Sequence, residues 1–178
     1  VEETGLEDIT NIIGGNYRLG EIEAAIGRIQ LQKLNACLYL RQEIVSVLCD
    51  GLSGLIGLQL PLIRDKCTHV FYTFPIILDP IALGINREKI VEALLAEGVK
   101  GIEGGYANLH LLPMFQNKIA MGSKGFPWSY SESRKSVNYS KGICPVAERL
   151  HDELFLGYEM CLHELSDNDA KTIVKAFN

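Results

Sequence analysis

The chain has 178 residues, 47 % hydrophobic and 22 % charged, with a net charge of −5. These proportions suit one globular domain, or one domain plus a tail, and exclude wholesale disorder. The acidic balance and the lack of a Lys/Arg run disfavour nucleic acid and anionic membrane as partners, and no apolar run approaches the ~20 residues of a membrane span.

In chain order, residues 1–18 read as a lead-in. Its start is acidic (Glu2, Glu3, Glu7, Asp8), the reverse of a secretory signal's basic start. The chain begins with Val1 rather than Met, which reads as a segment cut from a longer protein. Leu19, Ile22, Ile26 and Ile29, then Leu31, Leu34 and Leu38, then Ile44, Val47 and Leu48 keep helical spacing and predict one long helix with a broad buried face. Gly51, Gly54 and Gly57 are placed to end it. Leu58–Ile63 reads as a short edge strand, because Pro61 cannot donate to a ladder. Val70–Leu78 is the best strand, aromatic and β-branched, closed by Asp79-Pro80. Asn86 is placed to cap a helix from Arg87 to Glu97, with Gly98 as its C′ residue. Val99–Ile102 follows as a short strand. Residues 103–144 form a long polar stretch, a length usually functional in a compact domain. Pro145–Leu154 reads as a short helix with Pro in its first turn. Ser166 with Asp169 resembles a capping box opening a last helix, whose inner side carries Ile173, Val174 and Phe177. The order predicts an α+β fold: a small, mostly antiparallel sheet packed with helices on one face.

The five cysteines, Cys37, Cys49, Cys67, Cys144 and Cys161, are odd in number and lack C-x-x-C spacing. Neither a disulfide framework nor a zinc site is expected, and no metal; buried or half-buried free thiols in a reducing cytoplasm are.

One stretch carries more than periodicity. Gly15-Asn16-Tyr17-Arg18-Leu19-Gly20-Glu21-Ile22-Glu23-Ala24-Ala25-Ile26-Gly27, then Gln30-Leu31-Gln32-Lys33-Leu34 and Arg41, is similar to the Asn-Tyr-Arg segment of the DegT/DnrJ/EryC1/StrS sugar aminotransferases. Further matches follow in order: Tyr72–Ile76, Leu94–Val99, Gly105–His110 with Pro113 and Phe115, Cys144–Glu148, and Leu165–Asp167. Nearly the whole chain is covered. The resemblance implies the C-terminal part of a fold-type-I enzyme using pyridoxal 5′-phosphate (PLP). Residues 1–18 would lead in from a large PLP domain, and residues 19–178 would form the small domain. Such enzymes are usually cytoplasmic homodimers with shared active sites. They move an amino group from glutamate or glutamine onto a nucleotide-linked keto sugar.

The resemblance places the Schiff-base lysine upstream of Asn16, so no catalytic residue is expected in this chain. Asn16 would donate to the PLP phosphate of the neighbouring subunit; from local sequence it also reads as a helix cap. Arg18 offers a fork for a carboxylate or pyrophosphate, or an ion pair with Glu21 or Glu23. Tyr106 and His110 would line the sugar pocket; His110 alone would otherwise read as a surface histidine. Gly105 stands where the family often has His, Asn108 where it often has Pro, and residues 116–140 are long and polar. All three departures fall where sugar specificity is set. Two other readings compete: a PLP-dependent sugar dehydratase of the same family, and a non-catalytic dimerisation or binding module should this chain be the whole protein.

Overall fold

The computed structural model describes residues 17–130, 132, 136–161 and 164–178. The chain divides into two compact units, residues 1–38 and 39–178. Helix α1 (Glu21–Leu52) begins in the first and ends in the second.

In the first unit the expected buried face of α1 is out in solvent. Leu19 and Ile22 are each 75 % exposed, and Ile26, Ile29, Leu31 and Leu34 are exposed as well. The period is helical as read, but nothing among the described residues covers this stripe. Burial begins only in the last turns, at Ile44, Val45, Leu48 and Leu52.

The second unit holds a four-stranded antiparallel sheet in the order β1-β2-β4-β3, from β1 (Leu58–Gln59), β2 (Thr73–Leu78), β3 (Ile102–Glu103) and β4 (Phe155–Glu159). Strand β2 alternates cleanly: Phe74, Ile76 and Leu78 point inward and are almost fully buried, the two-residue period of a half-covered sheet. Phe74 faces Tyr158 and Ile76 faces Leu156 across to β4. These side chains pack with Leu48 and Leu52 of α1, with Leu94 of α3 (Arg87–Ala96) and with Ala170 and Ile173 of α6 (Asp167–Ala176). The expected α+β layer, a small antiparallel sheet with helices, is the fold found.

The strands are shorter than expected, and β2 shows why. Phe71 adopts φ +47°, a left-handed conformation that is strained for an aromatic residue and costs about 1–3 kcal/mol. It persists because its ring is only 2 % exposed and its backbone is over-determined. The Phe71 N–H donates to His69 Nδ1 (2.8 Å), Arg41 donates to the Val70 carbonyl (3.1 Å) and Gln42 to the His69 carbonyl (3.3 Å). The kink leaves residues 70–71 off the ladder, which ends with the Met160 N–H donating to the Tyr72 carbonyl at 3.2 Å. Likewise β1 stops at Gln59, short of Pro61, and β3 occupies 102–103 rather than 99–102.

Local capping chemistry behaves as read. Asn86 accepts from the Lys89 N–H at 3.0 Å, and Gly98 takes φ +88° just past α3. Ser166 and Asp169 form a reciprocal capping box on α6. Pro80–Leu83 forms a short α2 capped by Asp79. Three cysteines, Cys37, Cys67 and Cys161, are exposed rather than buried, while Cys49 and Cys144 are half-buried; all five are free. Among the described residues no helix is long and apolar enough to cross a membrane.

Gly51 does not end α1 but lies inside it, where the helix meets α6. A Cβ there would stand 2.6 Å from both γ-carbons of Val174. Gly51→Ala should gain up to ~1 kcal/mol of helix propensity but lose ~1–3 kcal/mol to overpacking. The expected net is a loss of about 1 kcal/mol in urea unfolding, largely recovered by adding Val174→Ala. A stabilised Gly51→Ala single variant would show that the two helices have room to separate.

Candidate functional site

After the long polar stretch the chain turns at Cys144-Pro145 into α5 (Pro145–Arg149), which widens into a π-helical turn over Leu150–Leu154 and runs straight into β4. Such an ending leaves carbonyls without intrahelical donors. Arg87, the first residue of α3, supplies them from another element. Its guanidinium donates to the carbonyls of His151, Asp152 (3.1 Å) and Phe155 (3.4 Å), and to that of Gly104 (2.6 Å). Glu88 accepts at 3.2 Å. The Arg87 side chain is only 13 % exposed. Gly104 lies against this group, and a Cβ on it would come 3.0 Å from Arg87 Nε. Gly105 follows at φ +107°, with the His151 ring 3.1 Å from where its Cβ would stand. The start of the long loop is thus seated on Arg87 and His151.

The far end of the loop is held by Glu148, one turn into α5. Its buried carboxylate accepts from the N–H of Gly142 (2.8 Å) and of Cys144 (3.2 Å), and it bonds His110 Nε2 at 2.8 Å. Burial opposes its ionisation, but these hydrogen bonds outweigh burial and hold the carboxyl below the usual carboxylate range. Beside it, Asp152 bonds Lys141 (2.7 Å) and His151 (3.0 Å), and these two partners hold its carboxyl low as well. One face of the Pro145–Leu154 helical segment therefore carries two ionised carboxylates, each flanked by a histidine.

Between its ends the loop has its own small apolar cluster. It contains 3-10 turns at Leu109–Leu111 and Trp128–Tyr130 and the short helix α4 (Pro113–Gln116). Phe115 packs against Trp128 (ring centroids 6.0 Å apart) and Tyr139 (5.2 Å), and the indole N–H donates to the Tyr139 hydroxyl at 3.0 Å. Gln116 donates to the carbonyls of His110 and Tyr139, both at 2.7 Å. An apolar hollow beside this cluster is lined by Met114, Pro127, Trp128 and Val137.

Of the residues singled out from sequence, Asn16 lies outside the described residues. Arg18 is exposed in the first unit, just ahead of α1. Tyr106 is 93 % exposed, directly after Gly105. His110 is not a surface histidine: its side chain is 12 % exposed and is held by Glu148. Sequence reasoning missed Glu148, Arg87, His151 and Asp152 as site-building groups. The available signal for Glu148 was an acidic residue early in a helix opened by Cys-Pro. For Arg87 there was none, since its acceptors lie far away in sequence.

The low-lying carboxyls make a prediction about pH. A carboxyl whose folded-state pKa is depressed adds stability above its ordinary pKa and loses it as pH falls through the folded value. Glu103 works the opposite way: burial, then the neighbouring Glu159, raise its pKa, so its protonation favours the fold as pH falls toward the usual carboxylate range. Urea midpoints should accordingly hold or rise slightly from neutral pH toward that range, then drop steeply below it. Glu148→Gln should flatten the drop; an unchanged acid limb would exclude Glu148 as its source.

Residues 3–141 match the DegT/DnrJ/EryC1/StrS aminotransferase family. An uncharacterized protein of Methanocaldococcus jannaschii is 28 % identical, covering 92 % of this chain and 37 % of its own length. The dTDP-3-amino-3,4,6-trideoxy-alpha-D-glucose transaminase of Micromonospora megalomicea subsp. nigra is also 28 % identical, over 92 % of this chain and 39 % of its own. In fold the chain is similar to S. venezuelae DesV, solved in complex with a ketimine intermediate, with TM-score 0.66, 22 % identity, and coverage of 93 % of this chain and 37 % of that one. The chain thus spans under two fifths of the length of these relatives.

Proposed function

Because the chain belongs to the DegT/DnrJ/EryC1/StrS aminotransferase family, we propose that it is the C-terminal portion of a PLP-dependent sugar aminotransferase. The reaction proposed is transfer of an amino group from glutamate or glutamine to a nucleotide-linked keto sugar. The observation that carries this reading is the family match through residues 3–141, which takes in both the Asn16–Arg18 segment and the loop bearing Tyr106 and His110. The named transaminase relative supports the sugar-nucleotide class. In this reading residues 1–18 lead in from a large PLP domain, residues 19–178 form the small domain, and the protein is a cytoplasmic homodimer with shared sites.

The described residues do not by themselves make a PLP site. An internal amine for the cofactor needs a sheltered lysine, and among the described residues every lysine is exposed except the half-buried Lys118. The buried cation that could meet a phosphate, Arg87, is already taken up by backbone carbonyls. By the family resemblance the lysine is assigned upstream of Asn16, on the large domain, and Asn16 to the phosphate of the partner's cofactor. PLP, when bound, supplies the electron sink of the reaction. This chain's own part is binding: His110 and Tyr106 on the loop for the sugar nucleotide, and Arg18 for a carboxylate or pyrophosphate.

The test uses the full-length protein with PLP, glutamate or glutamine carrying 15N on the α-amino group, and a panel of nucleotide-linked keto sugars. Appearance of 15N on the sugar is the expected result. A deoxygenated sugar without 15N would assign the dehydratase chemistry instead. Failure to bind PLP at all would leave a binding or dimerisation module.

A further inference from the structure

Among the described residues the Glu148 carboxylate meets the N–H groups of Gly142 and Cys144, both donors, and His110 Nε2 at 2.8 Å. The two amides are fixed by the backbone, and an ionised carboxylate has no proton to give. The proton in the Glu148–His110 bond therefore sits on Nε2, and in the neutral ring Nδ1 is the acceptor left to meet a ligand. The other end of the residue is fixed too, since Gln116 donates to the His110 carbonyl at 2.7 Å. We propose that Glu148 is a positioning residue for substrate recognition: it locks His110 in the Nε2–H form, so that Nδ1 accepts from a hydroxyl of the sugar nucleotide. The proposal rests on the reading of His110 as a substrate-binding residue.

Two variants separate this role from a purely structural one. In Glu148→Gln, the amide oxygen takes the Oε1 position, because Oε1 faces His110, Cys144 and Gly142 whereas Oε2 faces Gly142 alone. The imidazole then keeps its acceptor. Glu148→Met fills similar space and offers none.

The first measurement needs no substrate: two-dimensional 1H–15N multiple-bond spectra of the full-length protein with 15N-labelled histidine, assigned with His110→Ala. Wild type and Glu148→Gln should show His110 as the Nε2–H tautomer, and Glu148→Met should show a mixture. An Nδ1–H tautomer in wild type overturns the proposal even if every variant folds poorly. The second measurement is steady-state kinetics. Loss of one hydrogen bond predicts a KM for the sugar nucleotide raised roughly three- to tenfold in Glu148→Met and in His110→Ala, falling on KM more than on kcat. The double variant should be no worse than His110→Ala, whereas additive effects would refute action through His110. If the tautomer is as expected but His110→Ala leaves KM unchanged, the ring lock stands and the substrate-binding reading of His110 fails. That outcome overturns the proposed role in recognition.

Discussion

Arg87→Ala is expected to lower the unfolding free energy of the full-length protein's C-terminal unit by about 3 kcal/mol. The guanidinium is nearly buried and serves carbonyls from three places: Gly104 after β3, His151 and Asp152 in the π-helical turn, and Phe155 at the start of β4. Removing it leaves several part-buried acceptors without a donor, and each uncompensated group costs about 1–3 kcal/mol, less whatever water reaches them. Arg87→Lys should recover little of this. An ammonium is a point donor and cannot span acceptors arranged around a planar fork. Urea unfolding followed by circular dichroism measures the loss, and hydrogen exchange at Gly104–Tyr106 should quicken in parallel. A loss below about 1 kcal/mol would mean that the carbonyls are readily rehydrated and that the seat of the loop is not built on Arg87.

Phe115→Ala is expected to open the long loop while sparing the sheet. Phe115 is the hub of the loop's aromatic cluster, in contact with both Trp128 and Tyr139. None of these three belongs to the main core, which gathers around Phe74, Ile76 and Leu156. Truncating a fully buried Phe costs ~3–5 kcal/mol; this one is half-buried, so about 2 kcal/mol is expected. Because the cluster is a satellite, the loss falls on local opening rather than on global unfolding. Amides bonded inside the loop, Ala120 to Phe126 and Ser129 to Gly125, should exchange roughly thirtyfold faster, while Ile76 and Leu156 keep their protection. Equal acceleration in the sheet would join loop and core into one cooperative unit.

What could be read from the sequence was what is decided locally. The Asn86 cap, the Gly98 terminus and the Ser166–Asp169 box each depend on a few consecutive residues, and each forms as expected. Strand ends were misjudged where tertiary contacts override propensity: Phe71 belongs to a β-rich run, yet burial and the bonds from Arg41 and Gln42 fix it in a left-handed turn. The stripe on α1 was legible as a helix face, but a pattern does not tell what covers it. In the candidate site, His110 was legible through its loop motif, whereas its partner Glu148 lies 38 residues away. Arg87 looked like an ordinary charged residue at a helix start, because its acceptors are backbone carbonyls and leave no trace in side-chain identity.

Trp128 is the chain's sole tryptophan, and it sits 7 % exposed in the loop cluster rather than in the core. This chain's own indole fluorescence therefore reports on the loop alone. With the loop closed the emission should be blue-shifted and poorly quenched by iodide; with it open, red-shifted and accessible. Circular dichroism in the far ultraviolet follows the helices and sheet instead. Recorded together during a denaturant or ligand titration, the two signals resolve loop from scaffold without any added label, provided that tryptophans outside this chain are first replaced by phenylalanine.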